Sequence, residues 1–142
     1  MEDIFFKMQQ FKVIENEDQE TNPHRYGKEL AVFLCVKLKK RGYPKADYFP
    51  EDWGWYINCP LDSFSLEIGC GNVETVEGSE NPELYKTDHV IWTCFVEPKV
   101  PFFRNLFKRI DTTPEKEKLH KLVHKIITEI PDVKFIKQSE IV

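Results

Sequence analysis

Three groups of residues have the types and spacing from which a chemical site could be built. In "IGCGN", Cys70 stands between Gly69 and Gly71, which would leave a thiol accessible, and His89 could serve as the base that nucleophilic cysteine catalysis requires. His120 and His124 have the i, i+4 spacing that puts two imidazoles on one helix face for a metal ion. The stretch "PEDWGWYINC", residues 50–59, gathers Trp53, Trp55 and Tyr56, rings that would line a stacking pocket.

Each group also has a plainer explanation in the packing of the chain. Alternation along "SFSLEIGCGN" turns Cys70 inward with Phe64, Leu66 and Ile68, and nothing nearby is placed to lower its pKa. The residues between His120 and His124 are Lys121, Leu122 and Val123, so the glutamate of an HExxH pair is missing and the histidines flank an apolar stripe. No metal and no cofactor are expected. "GCGN" matches neither the GxGxxG nor the GxxxxGK[ST] phosphate-binding layout. Strict alternation places Trp53, Trp55, Ile57 and Cys59 on one inward face and Gly54, Tyr56 and Asn58 on the other, which favours core over pocket. Gly54 keeps the pocket reading open, because a glycine inside a strand marks a place where a ligand or another backbone comes close.

The elements that must hold these residues can be read from the period of the apolar positions. "IFFKMQQFKVI" (4–14) reads as a strand, the acidic run "ENEDQET" as a loop, and Asn22 followed by Pro23 as the start of a helix. The helix is expected over about 25–41 and to be buried on more than one side, with the basic "KLKKR" suiting its negative end and Gly42 its left-handed stop. Residues 53–59 and 64–70 form a hairpin joined through Pro60, Leu61 and Asp62. "HVIWTCFVE" adds a strand with Val90, Trp92, Cys94 and Val96 inward. An amphipathic helix follows over 102–110, then a second starting at Thr113 and Pro114 with Leu119, Leu122, Val123, Ile126, Ile127 and Ile130 as its stripe. Pro131 ends it before a last short strand in "VKFIK". The expected fold is a single α+β domain, 1–142, with a mostly antiparallel sheet of about four to five strands and helices on one face.

Charge is distributed unevenly. Residues 1–98 carry 10 Lys and Arg against 18 Asp and Glu, net −8, and residues 99–142 carry 10 against 6, net +4. The acid gathers in Glu15, Glu17, Asp18 and Glu20, and again in Glu74, Glu77, Glu80, Glu83 and Asp88 along "VETVEGSENPELYKTDH". These loops are either solvated or a negative surface that steers a basic partner. The sign of the total, −4, argues against nucleic acid as the target of the whole domain. Only the basic stretch 99–125 could meet phosphate or lipid headgroups, and its phenylalanines are better explained as core.

The remaining composition sets bounds. The longest apolar run, "LAVFLCV", is far short of the roughly 18 residues of a membrane span. "MEDIFF" does not open like a signal peptide, so a cytoplasmic location is expected. Cys35, Cys59, Cys70 and Cys94 contain no CxxC pair and read as free buried thiols.

The frame "PEDWGWYI", then "FSLEIGCGN", then "WTCFVEP" and a terminal amphipathic helix resembles the small acidic α+β immunity partners that bacteria encode beside polymorphic toxins. The likeness covers about residues 25–136 and lies in layout. It implies inhibition by binding, with no catalytic residue to carry over. The expectation is a non-enzymatic protein-binding domain with Glu74, Glu77, Glu80, Glu83, Asp88 and Gly54 as contact residues and another, basic protein as partner. The alternatives are a small-molecule pocket at Trp53, Trp55 and Tyr56, and an enzyme built on Cys70 and His89.

Overall fold

Period-two alternation decides the strands, and the computed structural model, which describes residues 3–9, 11–102 and 109–141, shows how they assemble. The strands are β1 (Ile4–Lys7), β2 (Asp47–Glu51), β3 (Gly54–Pro60), β4 (Ser65–Asn72), β5 (Trp92–Lys99) and β6 (Lys134–Phe135). They form one sheet in the order β2-β3-β4-β5-β1-β6, with every neighbouring pair antiparallel. Helices α1 (Lys28–Lys40) and α3 (Thr113–Thr128) cover one face, and a short α2 (Val76–Glu80) lies between β4 and β5. The fold is α+β with one hydrophobic core. Among the described residues no helix is long and apolar enough to cross a membrane.

The core forms where the inward residues of the strands meet the helix stripes. Trp55, Ile57 and Cys59 of β3, Leu66, Ile68 and Cys70 of β4, and Trp92, Cys94 and Val96 of β5 are all buried there. They meet Leu30, Ala31, Leu34, Cys35 and Leu38 of α1 and Leu119, Val123, Ile126 and Ile127 of α3. All four cysteines are free and buried. Helix α1 buries a single stripe and leaves Val36 exposed, so it is not enclosed on several sides as its composition suggested.

Several boundaries differ from the sequence reading, each for a physical reason. The sheet has six strands: β2 was not foreseen, because "DYFPE" contains a proline and is a mostly exposed edge strand. The strand expected over 4–14 stops at Lys7. Asn22 and Pro23 do not start α1, which begins at Lys28 after Gly27. The connection read as a plain loop over 73–89 contains α2, capped by the Thr75 hydroxyl accepting from Gly78 N–H, and a 3-10 turn at Pro82–Lys86. Trp53 is not inward; it sits in the turn between β2 and β3 and is 40% exposed. The helix expected over 102–110 falls largely at 103–108, outside the described residues.

Helix α1 obtains its cap from a distant carboxylate. Glu17, part of the acidic run expected to be a solvated loop or a partner-steering surface, is 3% exposed. Its Oε2 accepts from Gly27 N–H at 3.2 Å and Lys28 N–H at 3.0 Å, and its Oε1 from Ile14 N–H at 2.9 Å. Three backbone donors are thereby satisfied, two of them at the positive end of the helix. Burial raises the carboxyl's pKa above its ordinary value, against the opposing pull of these bonds and of the nearby Trp55 indole.

Candidate functional site

The two sides of the sheet differ in what covers them. With α1 and α3 on the core side, no described helix lies over the other face. Alternation puts Phe49, Tyr56, Gly69, Gly71, Thr93, Phe95 and Glu97 on that open face, and the register aligns Phe49 with Tyr56, Tyr56 with Gly69, and Gly69 with Phe95. Gly69 has no side chain because the Phe95 ring occupies the space where its Cβ would stand. Phe49 and Tyr56 pack at 5.4 Å between ring centroids, and Trp53 leans over Phe95 at 5.3 Å. The result is an aromatic band across the sheet, with Phe49 and Trp53 each 40% exposed.

Beside Trp53 the band opens into a cavity of about 360 Å³ lined by Arg25, Trp53, Gly71, Thr93, Phe95 and Glu97, with Asn72 at one end. Thr93 Oγ1 is buried and has no hydrogen-bond partner. Asn72 is fully used, accepting from Tyr26 N–H at 2.9 Å and donating to the His24 carbonyl at 3.1 Å. Arg25 is paired with Glu74. Among the described residues Glu97, Glu51 and Asp52 make no ion pair, so the band is flanked by carboxylates whose charge is not neutralised by a close cation.

The acidic connection begins at the same strand end. Glu74, Glu77, Glu80, Glu83 and Asp88 are all exposed, as is His89. Glu74 reaches the cavity wall through Arg25, Glu83 pairs with Lys86 at 3.5 Å, and Glu77 and Glu80 have no ion pair among the described residues. The Tyr26 hydroxyl is pushed up to about 12, first by burial and then by the charges of Asp18, Glu17 and Glu83. The first segment is largely consumed within the fold: Glu17 caps α1, Asp18 accepts from His24 N–H at 3.1 Å, and Glu20 pairs with Lys28 at 3.1 Å. The second segment remains on the surface.

The other candidates separate in space. Trp55 is 2% exposed on the core face, while Trp53 and Tyr56 belong to the open side, so the three rings do not line one pocket. Gly54 is buried; a Cβ there would stand 2.8 Å from the Cys70 carbonyl oxygen, so the backbone that comes close is the chain's own. Cys70 is buried beside Cys94, and burial pushes its thiol well above the ordinary range. His89 is exposed, with Asp88 at 3.9 Å, and no hydrogen bond joins it to Cys70. His124 stacks on Phe135 at 4.7 Å, and no metal-binding cluster of His, Cys, Asp or Glu occurs among the described residues.

The sequence reading missed Thr93, Phe95, Gly71, Arg25 and Glu97 as site residues. For the strand residues the readable signal was outward parity, a phenylalanine between inward Cys94 and Val96 opposite the outward Gly69 of β4, whereas Arg25, in the segment before α1, carried none. No protein-family model, curated protein or solved structure matches this chain.

Proposed function

We propose that this chain is a non-enzymatic protein-binding domain that meets a basic partner through the open face of its sheet, with the acidic connection at its margin. The observation that carries this reading is the aromatic band itself: Phe49 and Trp53 expose large apolar rings side by side with Tyr56 and Phe95, amid Glu51, Asp52 and Glu97, which make no ion pair among the described residues. Aromatic rings dominate binding energy at interfaces, while exposed charge mainly sets the rate of encounter and the choice of partner. Inhibition of a toxin, as the resemblance in layout implies, is one form such binding would take. A fully buried Cys70 and an exposed His89 support a binding role over cysteine catalysis.

Affinity capture from cells that make the protein, followed by binding kinetics on the captured partner, tests this. The double variant Phe49→Ser, Trp53→Ser should lose the partner while melting normally. Charge reversal at Glu77, Glu80 and Glu83 should slow association at low salt, with the difference shrinking as salt is raised, since exposed charges are screened over about 8 to 10 Å under physiological conditions. A partner held equally well by the double variant would sink the open-face reading, and an unchanged association rate at low salt would make the carboxylates a solvated loop.

A further inference from the structure

The cavity beside Trp53 has the chemistry of a side-chain pocket, and we infer that it takes an arginine side chain of the partner protein. This rests on the protein-binding reading and names the group that anchors it. At about 360 Å³ the cavity lies near the small end of the roughly 300–1,000 Å³ range of ligand pockets, a size suited to one long side chain. Two clefts of about 500 Å³ beside the β3–β4 turn are larger but contain no unpartnered buried polar group among the described residues, and in a third, of about 460 Å³, the unpartnered group is the Trp92 indole N–H, a donor that cannot accept from a guanidinium.

Three features select a guanidinium. Trp53 and Phe95 pack with ring centroids 5.3 Å apart at 44°, and among the described residues no lysine or arginine stands over either ring. Glu97, in the cavity lining, supplies a carboxylate without an ion-pair partner among the described residues, able to accept two parallel N–H bonds. Thr93 Oγ1, buried and unpartnered, is an acceptor for a further N–H. Arg25 does not reverse this polarity, because Glu74 neutralises it. A planar, weakly hydrated guanidinium matches rings, carboxylate and hydroxyl together better than the compact ammonium of lysine.

Gly71 supports the same assignment. It is a buried glycine inside β4 with no left-handed backbone to require it, and a Cβ there would meet its nearest atoms, Trp53 O and Tyr26 O, at 3.5 and 3.8 Å, ordinary contacts. A side chain fits at this position, and glycine weakens a strand interior. What a side chain would take away is space at the cavity floor. A ring, a cation and a carboxylate already meet in the fold, where Lys28 Nζ stands 5.0 Å from the Trp55 ring centroid and pairs with Glu20 at 3.1 Å.

The test uses the full chain and three capped tripeptides, acetyl-Gly-Arg-Gly-amide and its citrulline and lysine counterparts, titrated by NMR. The arginine peptide should shift the Trp53 indole N–H and the Thr93 and Phe95 amides saturably, and the citrulline peptide should bind at least about tenfold more weakly. Gly71→Val should abolish the shifts with little change in melting; should it fail to fold, Thr93→Val and Glu97→Gln should each weaken binding severalfold in a folded protein. Equal binding of citrulline or lysine, shifts elsewhere only, or undiminished binding in these variants would overturn the assignment. A captured partner that depends on Phe49 and Trp53, with no peptide response, would remove the arginine pocket and leave the protein-binding reading standing. Peptide binding in the pocket with no protein dependent on that face would do the reverse.

Discussion

Trp53 and Trp55 flank a single glycine and end on opposite sides of the sheet, each in company of similar composition. On the helix side, Trp55 has Lys28 over its ring and Glu20 paired with that ammonium, and all three belong to the fold. On the open side, Trp53 has Phe95 beneath it and Glu97 at the cavity rim, with no cation over the ring among the described residues. The same types of residue thus serve packing when the chain supplies every member of the group. They become available for recognition when one member is left for another molecule to bring.

The largest test of this contrast is truncation of the two rings. Trp55→Ala should cost about 3 to 5 kcal/mol, since it empties a buried site, and Trp92→Ala should do the same. Trp53→Ala, at a half-exposed turn, should stay within about 1 kcal/mol. Chemical denaturation of the three variants measures this, and similar losses at positions 53 and 55 would erase the distinction between the two sides.

The carboxylates give a smaller contrast of the same kind. Glu17→Ala should destabilise by about 2 kcal/mol, because Ile14, Gly27 and Lys28 lose the acceptor of their N–H groups. Glu97→Ala should change stability by less than about 0.5 kcal/mol, as expected of an exposed surface position. Equal effects at the two sites, by the same denaturation assay, would show that Glu17 is not a cap.

The finest effect is one of pH. Burial raises the Glu17 carboxyl's pKa in the folded chain, so the folded state binds more proton than the unfolded one between the ordinary glutamate value and the raised one. Its contribution to stability is therefore full below that window and falls as pH rises through it. Glu17→Gln should remove this downward slope. Denaturation midpoints measured across the weakly acidic range would show it as a flatter profile, whereas parallel profiles would mean that the carboxyl titrates normally.

Parity made the core legible, since Trp55, Cys59, Leu66, Cys70, Trp92 and Cys94 are inward by alternation alone and buried in the fold. It failed for Trp53 because that residue precedes the first residue of β3, and alternation has no meaning in a turn. Strand β2 was hidden by its proline, and Glu17 by its acidic neighbours, which made a buried cap look like a solvated charge. The donors that hold Glu17 come from residues 14, 27 and 28, and only the folded chain brings them together. The open-face cavity was illegible for a related reason: it is assembled from four separate segments, and most of its strand residues lie on the outward parity that the core pattern passes over.

Strand β2 has a further consequence, for how copies of this protein behave when crowded. It is an outer strand of the sheet, and its unpaired side would ordinarily offer backbone N–H groups to any passing chain. Pro50 has no N–H to offer, and the N–H of Tyr48, two residues earlier and on the same side, donates to Asp47 Oδ1 at 2.9 Å. The two donors nearest the middle of that edge are therefore missing or occupied, and β6 closes the opposite edge with only two residues. A donor-poor β2 and a two-residue β6 thus each give an added strand little to pair with, so the two outer edges of the sheet are poor templates for edge-to-edge stacking.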